Sequence, residues 1–212
     1  MQQAVAESEE DGFGMTSSVV ADSFCERNTK EVIVKKKYDR FFIRQRYELS
    51  DTNGNLLLQV EGPSLSLHKR RVMRDASGSL VLTMRQKVNL LTLRHRWTVN
   101  SGKSSDQKDH IFGVQRSHPL EMKPRLDVFM PETGINGDDD NNRTSRFQLV
   151  KTYSDLCCRV YRDDSVIAEV TEGLPSRSFF KYKDRFRVKI SGGVDYAFIF
   201  ALIVIFTVND YI

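Results

Sequence analysis

Between Lys181 and Ile190 cations alternate with large apolar residues in the run Lys181-Tyr-Lys183-Asp-Arg185-Phe-Arg187-Val-Lys189-Ile190. At the period of two that a β-strand imposes, Lys181, Lys183, Arg185, Arg187 and Lys189 project to one side, and Tyr182, Phe186, Val188 and Ile190 to the other. Guanidinium forks and ammonium point charges on one face suit the oxygens of inositol phosphates or anionic lipid. If Lys183-Asp184 is instead a turn, Arg185, Arg187 and Lys189 remain as the stripe. The competing reading is a solvated outer face, where alternate charges keep a strand soluble. Two further clusters could extend the stripe: Lys35-Lys36-Lys37 with Arg40, and His68 followed by Lys69, Arg70 and Arg71.

Other chemistries find little support. The four histidines, His68, His95, His110 and His118, lack metal-ligand spacing. Cys157 and Cys158 are adjacent in an expected strand, so their thiols point oppositely and cannot form one site. Asp51-Thr-Asn-Gly-Asn55 begins like a calcium loop, but its glycine comes two positions early and no glutamate follows at the twelfth, which leaves a hairpin turn. No phosphate-cradling glycine motif or serine elbow is present. The expectation is therefore a non-enzyme, with no catalytic residue, metal or cofactor assigned. A net charge of +4 over 212 residues permits an acidic partner without demanding one. Nucleic acid ranks below lipid, because Trp97 is the single tryptophan and no stacking platform accompanies the charge.

The element around which the chain must be organised is Asp195 to Val208. It carries no charge between Tyr196 and Val208 and has no polar helical face, so whatever it forms is covered on every side. It is shorter than the roughly 20 apolar residues a membrane span needs. Gly192-Gly193 supplies a break and Asp195 a fair N-cap, which predicts an enclosed helix over about 195–208, about 20 Å long.

Residues 1–30 are acidic, polar and aperiodic and read as a disordered tail, with 31–212 as one domain. Within it, turn signals recur at short intervals. Asp51-Thr-Asn-Gly54 and Asp75-Ala-Ser-Gly78 repeat a strand, Asp-x-x-Gly, strand pattern, and Arg162-Asp163-Asp164-Ser165 keeps the aspartate without the glycine. Leu56, Leu58 and Val60 share one face by alternation, as do Leu80, Leu82 and Met84, and Leu126, Val128 and Met130. About a dozen antiparallel strands followed by one helix imply a mainly β fold, a closed barrel whose interior the helix fills. The polar stretch 134–142 is expected to be a surface loop joining its halves. Three cysteines, two of them adjacent, fit a reducing compartment, and no signal-peptide run opens the chain. A cytoplasmic monomer that is not secreted is expected.

Several stretches together resemble the plant LURP-one-related family, whose fold is similar to the tubby C-terminal domain and related to phospholipid scramblases. They are Asn53–Gly62, Ser66–Arg71, Asp75–Gly78, Leu82–Lys87, Arg96-Trp97, Lys123–Phe129 and Val194–Phe206. The resemblance implies a twelve-stranded β-barrel threaded by its C-terminal helix. Tubby domains bind phosphoinositides and can leave the membrane for the nucleus, and LURP-one-related proteins look like defence-associated plant proteins, so the resemblance also implies a binding or adaptor module in plant defence signalling, at the plasma membrane surface or in the nucleus. No phosphoinositide-binding residue of the tubby type aligns here, so none is carried over. The anion-binding candidates rest on the residues themselves: Lys181, Lys183, Arg185, Arg187, Lys189, Lys69, Arg70 and Arg71. The alternatives are a protein-interaction module without lipid binding and a scramblase-like membrane protein.

Overall fold

The computed structural model describes residues 18–39, 44–63, 69–89, 94–102, 107–117, 125–131, 145–151, 156–172 and 185–208. The strands are β1 (Lys30–Asp39), β2 (Arg44–Asp51), β3 (Leu56–Pro63), β4 (Arg70–Asp75), β5 (Leu80–Asn89) and β6 (Arg94–Ser101). They continue with β7 (His110–Arg116), β8 (Arg125–Phe129), β9 (Phe147–Lys151), β10 (Leu156–Arg162), β11 (Ser165–Glu172) and β12 (Arg185–Ile190), and helix α1 (Tyr196–Val208) follows. Each strand pairs antiparallel with the next, and β12 closes on β1, so the expected barrel is complete and has no free edge.

Alternation does the enclosing. One residue in two along every strand turns inward, as Val32 and Val34 do on β1, Trp97 and Val99 on β6, and Phe186, Val188 and Ile190 on β12. These side chains and α1 form a single core, in which every helix residue from Ala197 to Val208 is buried. Phe198 meets Phe112 edge-on at 5.1 Å and Phe147 at 4.9 Å, so the helix is keyed to both sides of the wall. No helix among the described residues is long and apolar enough to cross a membrane.

The two matching hairpins close alike. Gly54 and Gly78, at φ +91 and +86, donate to the carbonyls of Asp51 and Asp75, whose carboxylates accept from the N–H of Asn55 and Ser79. Without a glycine, the third hairpin puts Asp163 itself at φ +52, a conformation aspartate tolerates better than most residues. Leu56 departs from its expected face. The register slips between Leu49 and Ser50, which turns Leu56 partly to solvent while Leu58 and Val60 stay in the core.

The expected tail ends earlier than residue 30. Residues 1–17 lie outside the described residues, but from Ser18 onward the chain straps across the helix N-terminus. Asp195, fully buried, accepts at Oδ1 from the N–H of Ala197 (2.8 Å) and Phe198 (3.0 Å), which is the expected cap. Its Oδ2 accepts from Val19 (3.3 Å), Val20 (2.7 Å) and Ala21 (3.2 Å). Burial pushes this carboxyl's pKa up, and the amide donors oppose the rise. Phe24 packs edge-on against Tyr196, and Gly193 donates its N–H to the Glu26 carbonyl, so the strap is tied at several points.

Candidate functional site

On β12 the alternation is as expected: Arg185, Arg187 and Lys189 are exposed, while Phe186, Val188 and Ile190 point into the core. Lys181 and Lys183 lie outside the described residues. Neighbouring strands moderate the stripe. Arg187 Nε reaches Glu31 at 3.0 Å, and Lys189 stands in register between Glu31 on β1 and Glu169 on β11. Arg185 is opposite Lys35 instead, so positive charge concentrates at that end of the strand.

The consecutive cations Lys69, Arg70 and Arg71 do not act together, because successive residues entering a strand face opposite ways. Lys69 donates to the Val208 carbonyl at 3.3 Å and so caps the helix C-terminus. Arg71 is buried, donating to the Pro63 carbonyl (2.5 Å) and to Gln45 Oε1 (3.0 Å). Burial draws its pKa down, and Tyr47 opposes the shift. The guanidinium crosses the wall where β3 carries Gly62, the space of a Cβ being filled by Arg71 and the Arg70 carbonyl. Both residues are thus architectural, and Arg70 alone faces solvent.

Arg70 belongs to a different face from the stripe. It lies four strands from β12, roughly 19 Å along the wall at the usual inter-strand spacing, and it stands directly opposite Arg85 on β5. Two residues along β5, exposed Lys87 stands directly opposite Arg96 on β6. Arg85 Nε is buried without a hydrogen-bond partner. The Arg96 guanidinium lies over Gly113 of β7, within 3.7 Å of where a Cβ would be. Two cross-strand like-charge pairs thus occupy one outer face of β4–β6. Their sequence signal is the spacing of Arg85 and Lys87 two apart inside Leu82–Lys87.

Elsewhere little chemistry is assembled. No group of His, Cys, Asp or Glu capable of holding a metal occurs among the described residues. His68 and His118 lie outside them. Cys158 is a buried thiol, and burial raises the pKa of half-buried Cys25, which suits neither as an activated nucleophile.

A family model described as LURP-one-related matches residues 30–207. The chain is 39% identical over 193 residues to Protein LURP-one-related 14 of Arabidopsis thaliana, covering 91% of both chains. It is 32% identical over 189 residues to Protein LURP1 of the same plant, covering 88% of this chain and 87% of that one. A crystal structure of another Arabidopsis thaliana protein superposes with a TM-score of 0.62 at 28% identity, covering 91% of this chain and 97% of that chain. The barrel threaded by its C-terminal helix is the tubby-like architecture that the resemblance implied.

Proposed function

The chain belongs to the LURP-one-related family, and from that premise we propose that it is a non-enzymatic binding module which recognises phosphorylated anionic headgroups, phosphoinositides above all, on the outer face of β4–β6. The observation that carries this reading is the pairing of Arg70 with Arg85 and of Lys87 with Arg96. Like charges directly opposite one another destabilise a sheet, so a face that repeats the arrangement gains most when an anion lies across it. Arginine can grip a phosphate with two parallel hydrogen bonds and lysine adds a point charge, a combination that favours a multiply phosphorylated ring over a single charged group. The β12 stripe supports the reading less, because Glu31 and Glu169 flank its cations.

The setting, plant defence-related signalling at a membrane surface, follows from the family resemblance rather than from the geometry. Flotation with vesicles containing or lacking phosphoinositides tests the function. Arg85→Gln/Lys87→Gln should lose the phosphoinositide-dependent fraction, and Arg187→Gln should keep it. Equal flotation of wild type and the Arg85→Gln/Lys87→Gln variant would remove the site and favour a protein-interaction role for the barrel exterior.

A further inference from the structure

The two mouths of the barrel differ in charge. Helix α1 begins beneath the strap at one mouth and ends at the other, where Lys69 holds the Val208 carbonyl. Around that second mouth, Arg185 is the first residue of β12, Arg70 the first of β4 and Lys151 the last of β9, with Lys36 and Lys87 near the ends of β1 and β5. Among the described residues none of these five stands opposite a carboxylate in register: Arg185 faces Lys35, Lys36 faces Tyr47, Arg70 faces Arg85, Lys87 faces Arg96 and Lys151 faces Cys158. Arg44 completes the arc, opposite Asp39, and Glu172 at the end of β11 is the other carboxylate among the strand ends there. At the first mouth the turns are built on Asp51, Asp75, Asp163 and Asp164 and the strap adds Asp22 and Glu26, but Arg27, Lys30, Arg74 and Arg162 stand among them, so the charges there are mixed where those of the second mouth are mainly positive.

The helix dipole does not account for the rim. The C-terminus of a helix presents about half a negative charge, felt within its last turn, and Lys69 already answers it. The remaining cations circle most of the barrel, from β12 through β1 and β5 to β9, so no single lateral face collects them.

We infer that the protein docks end-on, its helix axis steep to the surface and the mouth at Val208 turned toward an anionic lipid bilayer. Attraction to such a surface falls off within about 10 Å, so cations gathered at one end of the barrel engage it together while the mouth of mixed charge stays outside that range. The inference rests on the proposed anionic target and adds its orientation: the outer face of β4–β6 selects the headgroup, and the rim meets the surrounding lipid.

Binding to phosphatidylcholine vesicles with and without phosphatidylserine, using the full chain, tests it. Lys/Arg contacts near such a surface are each worth roughly a fivefold change in partition. Arg185→Gln and Lys151→Gln, on the far side of the barrel from β5, should each weaken phosphatidylserine-dependent binding by about that factor, as should Lys87→Gln. Arg27→Gln at the other mouth should leave it unchanged. Thermal melts establish that each variant is folded, and Arg185→Gln, an exposed position, decides the matter if Lys151→Gln is not. Loss with Lys87→Gln alone means the barrel lies on its side and overturns the inference. Calorimetric titration with a soluble inositol phosphate separates the two readings. Headgroup binding with normal vesicle binding by Arg185→Gln leaves the proposed function standing and refutes end-on docking. Rim-dependent vesicle binding without headgroup binding does the reverse.

Discussion

Asp195 joins two parts of the chain that lie about 175 residues apart, and replacing it with asparagine tests how the helix is locked in the barrel. The carboxylate serves five N–H donors, two at the helix start and three on the strap. Asparagine keeps one acceptor oxygen, so its amide NH2 must face one of the two sets, and those donors lose their acceptor. An orphaned buried donor costs about 1–3 kcal/mol. The strap donors are only partly buried and one contact, to Val20, is short, which places the total at roughly 3 kcal/mol after relief of the charge's own burial. For a chain of this size that corresponds to a fall of roughly 6–12 °C in the melting midpoint. Thermal unfolding measures the loss, and hydrogen exchange at Val19, Val20 and Ala21 locates it. Because strap and cap share one side chain, deleting residues 1–21 and replacing Asp195 should be worth less together than the sum of the two changes. An unchanged midpoint with full protection at 19–21, or strict additivity, would refute the argument.

Phe198→Ala should destabilise by about 3–5 kcal/mol in urea unfolding, since its ring fills the space between Phe112 and Phe147. Gly62→Ala should cost about 1–3 kcal/mol because the new methyl meets Arg71 and the Arg70 carbonyl, and Arg71→Met should recover part of it. Side-chain hydrogen bonds from Asn55 and Ser77 hold the Asp51 and Asp75 pKa values below 3.8, so these groups stabilise the fold above the unfolded value and the contribution is lost as pH falls through the folded one. Asp75→Ala should therefore lower the midpoint at neutral pH and have no effect in strong acid. Asp195 has the opposite sign: burial raises its pKa, so its contribution is full below the unfolded value and diminishes as pH rises through the folded one.

The sequence made the architecture readable wherever a local pattern decided it. Tyr196–Val208 has no polar face and demands enclosure, and the two Asp-x-x-Gly turns announce their hairpins through glycines that stand at positive φ. What escaped was set by partners distant along the chain. Val19 to Cys25 carries apolar residues, but the run is too short to show a period inside a polar terminus, and its order comes from the core and from a carboxylate near the other terminus. Leu56 was misplaced because a register slip changes the pairing without leaving a mark in the alternation. Lys69, Arg70 and Arg71 read as one cluster because adjacency was weighed above the period of two, which sends Arg70 out and Arg71 in. Arg85 and Lys87 were visible two apart, but Arg70 and Arg96 are set opposite them only by strand register.

The outer face of β4–β6 can be tested by titrating the labelled protein with a soluble inositol polyphosphate and following its amide and arginine side-chain resonances. The account predicts saturable shifts at Arg70, Arg85, Lys87 and Arg96 that Arg85→Gln/Lys87→Gln abolishes. Shifts confined to Arg185, Arg187 and Lys189, or none at all, would contradict it.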